Sequence, residues 1–103
     1  MQSKLFEPIK LRGLELANRI IVSPMCQYHA VDGSMTDWHT MHVGSYAISG
    51  AGLFFVEATG VEAGGRISPA CTGMYSDDNE AAMRRVLEFC REHGDTKIGI
   101  QLA

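Results

Sequence analysis

The chain has 103 residues, of which 46% are hydrophobic and 20% are charged, and its formal net charge is −3. This length suits one small globular domain, and the acidic balance offers no basic surface for nucleic acid. No run of about eighteen apolar residues predicts a membrane-spanning helix. Three widely spaced cysteines, Cys26, Cys71 and Cys90, predict neither a disulfide framework nor a zinc site, which favours a reducing, cytoplasmic compartment.

The chain begins with a pattern typical of a β-hairpin. Apolar residues alternate with polar ones on either side of Arg12-Gly13, at Ile9, Leu11, Leu14 and Leu16. This alternation predicts two short antiparallel strands joined by a tight turn. Because an isolated hairpin is marginal in water, we expect it to cap a larger body.

A buried strand is predicted next, at about residues 19–23, from the β-branched run around Ile20. Pro24 cannot donate to a central ladder, so it marks the end of this strand. A thiol and a phenol, Cys26 and Tyr28, follow within four residues. A strand that ends in reactive side chains is typical of α/β enzymes, whose chemistry lies beyond the strand ends.

The remainder of the chain alternates between helix and strand. Helical patterns predict helices at about 36–49 and 78–93, the first capped by Thr36 and the second opened by an Asp77-x-x-Glu80 capping box and closed by Gly94. A continuous apolar run at 53–58 predicts a strand covered on both faces, and 97–103 predicts another. The glycine-rich stretch 59–76 is predicted to be a long loop, which in a compact domain is usually functional.

The order of elements is therefore a hairpin followed by β-α-β-α-β. Such alternation predicts an α/β fold with right-handed crossovers and a parallel sheet. The last strand has no helix after it, so we expect these residues to be the N-terminal part of a larger unit, for which a (β/α)8 TIM barrel is the obvious completion. The carboxyl ends of its strands would bring Cys26, Tyr28, Glu57 and Gln101 to one edge.

Each of these side chains has a structural reading beside the functional one. Cys26 can be a buried structural thiol, but it follows a strand end and no general base is evident beside it, so contact with a cofactor is favoured over nucleophilic attack. Tyr28 can pack at the rim or direct its phenol at a ligand. Gln101 lies in an apolar strand end, where a buried amide needs a partner.

Other polar residues give weaker signals. His39 and His42 are three residues apart on the first predicted helix, but no third or fourth ligand is evident, which favours packing or surface histidines over a metal site. Glu57 is either a catalytic base or, more readily, a salt-bridged structural carboxylate. The stretch Gly60–Pro69 has neither of the common phosphate-binding spacings.

Seven short motifs, taken together, resemble the old yellow enzyme family of flavin mononucleotide (FMN) ene-reductases. They run in the family's order across nearly the whole chain: Leu5-Phe6-Glu7-Pro8, Asn18-Arg19-Ile20 with Ser23-Pro24-Met25-Cys26-Gln27-Tyr28, Asp37-Trp38-His39, Val56-Glu57-Ala58-Thr59, Gly65-Arg66-Ile67-Ser68-Pro69, and Ile98-Gly99-Ile100-Gln101-Leu102-Ala103. A cysteine at position 26 together with Tyr28 resembles the bacterial, thermophilic-like subgroup that includes xenobiotic reductases.

The resemblance implies a (β/α)8 barrel whose N-terminal hairpin covers its bottom. It further implies that FMN is lined by Ser23, Pro24, Met25 and Cys26 and contacted by Ala58 and Gln101. Cys26 would tune the flavin potential and Tyr28 would project into the substrate pocket. NADPH or NADH would reduce the flavin, which would then give hydride to an activated alkene such as an enone or a nitro compound.

The resemblance also implies that residues 1–103 are the N-terminal part of a single flavin-binding barrel domain. The family's ligands for the substrate carbonyl, its proton-donating tyrosine and its phosphate-binding segment lie farther along, and the family usually continues with a His-Ala-Gly-Arg-like run. Two alternatives remain: an inactive fragment acting as a structural or association module, and a dienoyl-coenzyme A reductase-like flavoenzyme. A homodimer or homotetramer is expected of the complete protein, with no nucleic-acid or membrane partner.

Overall fold

The computed structural model describes residues 3–103; Met1 and Gln2, the first two residues of the expected domain, lie outside it. The described chain contains a two-stranded sheet, a three-stranded sheet and two α-helices. The strands are β1 (Ile9–Leu11), β2 (Leu14–Leu16), β3 (Ile21–Val22), β4 (Leu53–Thr59) and β5 (Lys97–Leu102), and the helices are α1 (Asp37–Ala47) and α2 (Asp77–His93). The order is the predicted one: a hairpin, then β-α-β-α-β.

The hairpin forms as the alternation predicted. Strands β1 and β2 pair antiparallel, and Arg12 at the turn adopts a left-handed φ of 55°. Leu16 is fully buried, whereas Leu11 and Leu14 line a cavity with residues at the N-terminal ends of β4 and β5. The hairpin therefore lies at the N-terminal end of the parallel sheet, which leaves the carboxyl edge uncovered by it.

The second sheet is parallel, with β4 between β3 and β5. Strand β3 is shorter than the predicted 19–23 because the Asn18 side chain holds the chain before it. The Asn18 Oδ1 atom accepts the backbone N–H of Ile20 at 3.0 Å and that of Gly52 at 2.8 Å, which ties the start of β3 to the start of β4. The apolar run that predicted β4 is buried along nearly its whole length.

Both predicted helices are present, and different capping interactions fix their first turns. Helix α1 follows Thr36, whose backbone N–H donates to His39 Nδ1 at 3.0 Å. Helix α2 begins one residue earlier than expected, because Ser76 rather than Asp77 is its cap and its hydroxyl accepts the Asn79 N–H at 3.1 Å. Glu80 does not reach back to cap the helix; it pairs with Arg84 on the exposed surface.

The core lies between the two helices and one face of the parallel sheet. Phe54 and Val56 of β4 are 1% and 2% exposed and pack against both helices. Their helical partners are apolar residues at helical spacing: Val43 and Ala47 on α1, and Ala82, Met83, Val86 and Cys90 on α2. Alternation along β4 turns Leu53 and Phe55 to the other face, which points away from the helices.

Gly94 ends α2 by a different mechanism from the expected left-handed C′ glycine. Its backbone is extended, with φ −140° and ψ 163°, and its N–H donates to the Cys90 carbonyl at 2.8 Å. A Cβ at this position would overlap the carbonyl oxygen of Ala47, at the end of α1. Glycine is therefore required here by the close approach of the two helix ends.

We expect Gly94→Ala to lower the free energy of unfolding by about 1–3 kcal/mol, because the methyl group forces the ends of α1 and α2 apart. Gly13→Ala in the hairpin turn is the matched control, since a Cβ there has no atom within 4 Å. The control is expected to change stability by less than about 1 kcal/mol. Denaturant unfolding measures both variants, and equal losses at the two sites would contradict this packing explanation.

Candidate functional site

A β-bulge shapes the carboxyl edge of the parallel sheet. Val56 pairs with Ile100 and Thr59 with Leu102, so Glu57 and Ala58 of β4 together lie opposite the single residue Gln101 of β5. A bulge of this kind bends the strand and redirects its side chains, and it recurs next to active sites. The bulge therefore places Ala58 and Gln101 side by side at the edge where barrel enzymes carry their chemistry.

The residues singled out from the sequence occupy this edge at different depths. Ser23 and Met25 are exposed in the segment that follows β3, with Pro24 and Cys26 half-buried between and after them. Ala58 is 7% exposed. Gln101 is exposed in the described chain, so the buried position expected for its amide is not observed there.

The Cys26 thiol faces the end of β4. Burial raises the pKa of Cys26 above its ordinary value, the neighbouring Cys71 thiol and Glu57 carboxylate raise it further, and a hydrogen bond with the Ala58 backbone opposes them. The thiol is therefore protonated at neutral pH. Because the thiolate is the nucleophilic form of cysteine, this environment does not activate Cys26 for attack.

Glu57 is the buried charge behind this edge, 3% exposed. Its Oε1 accepts the Thr72 hydroxyl at 2.8 Å, and its Oε2 lies 3.5 Å from Nε2 of His39 on α1. Burial by itself raises the pKa of Glu57, but the contacts with His39 and Thr72 outweigh it and hold the pKa below its ordinary value. Glu57 thus has the structural surroundings of a paired carboxylate.

The two histidines of α1 differ in their surroundings. His39 is completely buried, and because its Nδ1 accepts the Thr36 N–H, its Nε2 carries the proton that faces Glu57. His42 packs edge-on against Tyr46 and Phe54, and burial lowers its pKa. Within residues 3–103, no group of three histidine, cysteine, aspartate or glutamate side chains is arranged to hold a metal ion.

Tyr28 lies beyond Cys26 in an unusual backbone conformation. Its φ is 58°, in the left-handed region, and the side chain is 56% exposed. The residues on either side of it both contact Trp38 of α1: Gln27 through a hydrogen bond and His29 through a stacked ring. The sequence pattern did not reveal these two contacts, because residues eleven and nine apart, in a loop and a helix, follow no shared period.

The long segment between β4 and α2 closes one side of the edge. Gly60 pairs with Gly73, and the Ala30 N–H donates to the Ala70 carbonyl at 3.0 Å. These bonds bring Cys71 and Thr72, which are 1% and 0% exposed, against the end of β4. Neither residue was singled out from the sequence, because a single threonine or cysteine in a long loop carries no local signal.

These residues lie at one edge of the sheet. They offer a small side chain at Ala58, a protonated thiol at Cys26 and, at Gln101, an exposed amide that can both donate and accept hydrogen bonds. Two of the larger cavities in the described chain lie instead at the N-terminal end, beside the hairpin and the start of β5.

Comparison with known proteins decides the family. Residues 4–103 match the profile of the NADH:flavin oxidoreductase / NADH oxidase family, which is nearly the whole chain. The chain belongs to this family. Similar proteins include an NADPH dehydrogenase of Geobacillus sp. (strain WCH70), 44% identical over 100% of this chain, and the NADH:flavin oxidoreductase FG08077 of Gibberella zeae, 43% identical over 98% of it.

Solved structures of this family share the fold. Morphinone reductase in complex with tetrahydroNAD superimposes with a TM-score of 0.87 at 30% identity over 98% of this chain, and the old yellow enzyme homologue of Zymomonas mobilis gives 0.86 at 28% identity over 97%. This family member therefore has the α/β fold predicted from the sequence, the hairpin and first β-α-β-α-β of a TIM barrel.

This family member spans less than a third of the relatives it matches. It covers 31% of the Geobacillus NADPH dehydrogenase, 24% of the Gibberella protein and 27% of the morphinone reductase chain. Within residues 3–103, neither helix combines the length and the apolar character that crossing a membrane requires.

Proposed function

We propose that this chain is the N-terminal part of an FMN-dependent NAD(P)H oxidoreductase that reduces activated alkenes, α,β-unsaturated carbonyl and nitro compounds among them. Residues 1–103 belong, in this proposal, to a single flavin-binding (β/α)8 barrel domain. Membership of the NADH:flavin oxidoreductase / NADH oxidase family supports the reaction class. The NADPH dehydrogenases among the relatives support NADPH, and a morphinone reductase bound to tetrahydroNAD supports a nicotinamide as the reductant.

One observation carries the proposal: the bulge in β4 brings Ala58 opposite Gln101 at the carboxyl edge of the parallel sheet, the edge from which the segment with Cys26 leaves β3. Residues at or just beyond the ends of three neighbouring strands thus lie at one edge. This is the arrangement by which barrel enzymes build a site from separate strand ends.

The donor set fits the flavin ring. FMN has a flat ring system whose edge alternates hydrogen-bond acceptors and donors, and the amide of Gln101 can both donate and accept. Ala58 lets a planar group approach the backbone closely. Ser23 and Met25 are exposed residues of the segment after β3, and Pro24 between them has no N–H to donate.

Each residue has a defined task in this proposal. Ser23, Pro24, Met25, Ala58 and Gln101 bind and orient FMN. Cys26, kept protonated by its burial, presents a weak donor to the ring and tunes its potential. Tyr28 offers its phenol to the substrate. When bound, FMN would supply the redox chemistry, taking hydride from NADPH or NADH for the β-carbon of the alkene, while the α-carbon would take a proton from solvent or from a side chain beyond residue 103.

The wider setting of the protein is proposed on the same basis. We place the enzyme in the cytoplasm, since its three cysteines are all free in the described chain. A homodimer or homotetramer is proposed for the complete barrel by analogy with similar proteins.

The direct test is the absorption spectrum of the purified protein that contains this chain, followed by an assay of alkene-dependent NAD(P)H oxidation. We expect a yellow protein with stoichiometric FMN that oxidises NAD(P)H only slowly until an enone is added. A colourless protein that does not bind added FMN would overturn the proposal and favour a structural or association module.

Tyr28→Phe is expected to lower kcat/KM for the alkene about fivefold through KM, since it removes one neutral hydrogen bond to the substrate. Flavin content is expected to stay unchanged. Tyr46→Phe is the matched control, because Tyr46 stacks on Phe54 in the core on the helical side of the sheet. If steady-state kinetics do not distinguish the two variants, the proposed contact between Tyr28 and the substrate is contradicted.

A further inference from the structure

Tyr28 is held in a conformation that its own side chain does not favour. Its φ of 58° belongs to the left-handed region, where a side chain crowds the following carbonyl, and its ring is 56% exposed. A non-glycine residue stays in this region only when its surroundings fix it there. The contacts that fix it must come from its neighbours, because the ring itself is largely free of packing.

Both neighbours of Tyr28 are bound by the same residue. Gln27 donates its Nε2 to the Met25 carbonyl at 3.0 Å and accepts the Trp38 Nε1–H through its Oε1 at 2.9 Å. The His29 ring stacks on the Trp38 ring with centroids 4.1 Å apart and an interplanar angle of 10°.

Trp38 is itself held in place as part of a helix. Trp38 lies in the first turn of α1, directly after the Thr36 cap, and the Thr36 hydroxyl donates to the His29 carbonyl at 3.1 Å. Trp38 is 40% exposed and does not belong to the core between the helices and the sheet. Its contacts therefore serve the loop more than the stability of the fold.

We propose that Trp38 is a positioning residue for the substrate pocket, which binds the residues on both sides of Tyr28 and so fixes the direction of its phenol. This inference rests on the proposed function, in which Tyr28 contacts the alkene. Gln27 and His29 are the two links: the first fixes the backbone before Tyr28 and the second fixes it after. Trp38 itself touches neither flavin nor substrate in this proposal.

A double-mutant cycle on the FMN-loaded enzyme tests the proposal. Trp38→Phe removes the Nε1 donor and is expected to raise KM for the alkene about threefold to fivefold, which is no more than the effect of Tyr28→Phe. Its flavin content and thermal midpoint are expected to stay unchanged. In the Tyr28→Phe background, Trp38→Phe is expected to have no further effect on KM. If the two residues acted independently, their effects on KM would multiply, because the free-energy effects of uncoupled sites add.

Variants of Gln27 supply a readout besides activity. NMR can follow the exchange of the Trp38 indole N–H with solvent, because Trp38→Phe identifies its signal by removing it. In Gln27→Leu this exchange is expected to be several-fold faster, and KM is expected to rise as it does in Trp38→Phe. Gln27→Glu keeps an acceptor for that N–H but loses the Nε2 donor to the Met25 carbonyl, so it is expected to retain slow indole exchange.

These experiments distinguish a failure of the positioning role of Trp38 from a failure of the proposed substrate contact at Tyr28. Multiplying effects in the cycle, or a Trp38→Phe enzyme with normal KM while Tyr28→Phe is impaired, would overturn the positioning role and leave the substrate contact standing. A silent Tyr28→Phe would overturn both. Rapid indole exchange that no Gln27 variant alters would also overturn the positioning role.

Discussion

Glu57→Gln is expected to lower the free energy of unfolding by about 3 kcal/mol, although it changes no volume. The exchange removes the charge of a buried acceptor, and a hydrogen bond to a charged group contributes about 1.5–3 kcal/mol. The amide oxygen can face only one of the two buried groups that the carboxylate faces, the Thr72 hydroxyl at 2.8 Å and His39 Nε2 at 3.5 Å, and the amide NH2 then faces the other. Each orphaned buried donor carries its own desolvation cost of about 1–3 kcal/mol.

Glu80→Gln is the matched control for that experiment. Glu80 pairs with the Arg84 guanidinium, but their side chains are 57% and 62% exposed. An exposed pair four residues apart on a helix contributes about 0.3–0.5 kcal/mol, so the same substitution is expected to be nearly silent. Denaturant unfolding of both variants measures the difference, and similar losses at the two positions would show that burial of Glu57 is not what makes its contacts matter.

The stability contributed by Glu57 has a defined pH dependence. Because its folded pKa is lowered, the contribution is fully present above the unfolded pKa of about 4.3 and is lost as pH falls through the folded value. The gap in unfolding free energy between the parent and Glu57→Gln should therefore narrow below about pH 4. A gap that widens on acidification would contradict the lowered pKa.

Gln101→Leu is expected to weaken FMN binding about 10- to 100-fold, because it removes a side chain proposed to donate to and accept from the ring edge. The residue is exposed in the described chain, so the substitution is not expected to disturb the fold. Leu102→Ala on the same strand is the control, since successive side chains of a strand point to opposite faces. Equal FMN affinity in the two variants, measured by flavin fluorescence, would remove Gln101 from the flavin site.

Much of the fold could be predicted from the sequence because its elements carry strong local patterns. The alternation around Arg12-Gly13, the continuous apolar run of β4 and the helical spacing of apolar residues in α2 each indicate one structure only. The chain order of these elements then restricts the sheet to parallel pairing. The apolar residues predicted to face inward on α2, such as Val86 and Cys90, are the ones that pack on β4.

The details that escaped prediction depend on contacts between distant residues. The shortened β3 depends on Asn18 binding Gly52, and the extended backbone of Gly94 depends on its approach to Ala47. The bulge at Glu57 and Ala58 has no local sequence mark and changes which residues share the edge. The partners of Glu57 come from α1 and from the long loop, and nothing near Glu57 in the sequence indicates them.

The candidate site likewise has features that the sequence indicates and features that only the structure reveals. Cys26 and Tyr28 could be singled out as candidates because polar side chains follow a strand end directly. The environment that keeps the Cys26 thiol protonated, and the link from Trp38 to both neighbours of Tyr28, appear only in three dimensions. The assignment of all these residues to a flavin site remains a proposal that experiments on the holoenzyme can test.

The measurement that addresses the flavin site most directly is the midpoint potential of the bound flavin in Cys26→Ala and Cys90→Ala. Cys90 is buried among the helices on the other face of the sheet and serves as the control. We expect Cys26→Ala to retain FMN and to shift the potential by about 30 mV, equivalent to ~1.4 kcal/mol for a two-electron couple, while Cys90→Ala leaves it unchanged. Identical potentials in the two variants and the parent would contradict the placement of Cys26 against the flavin.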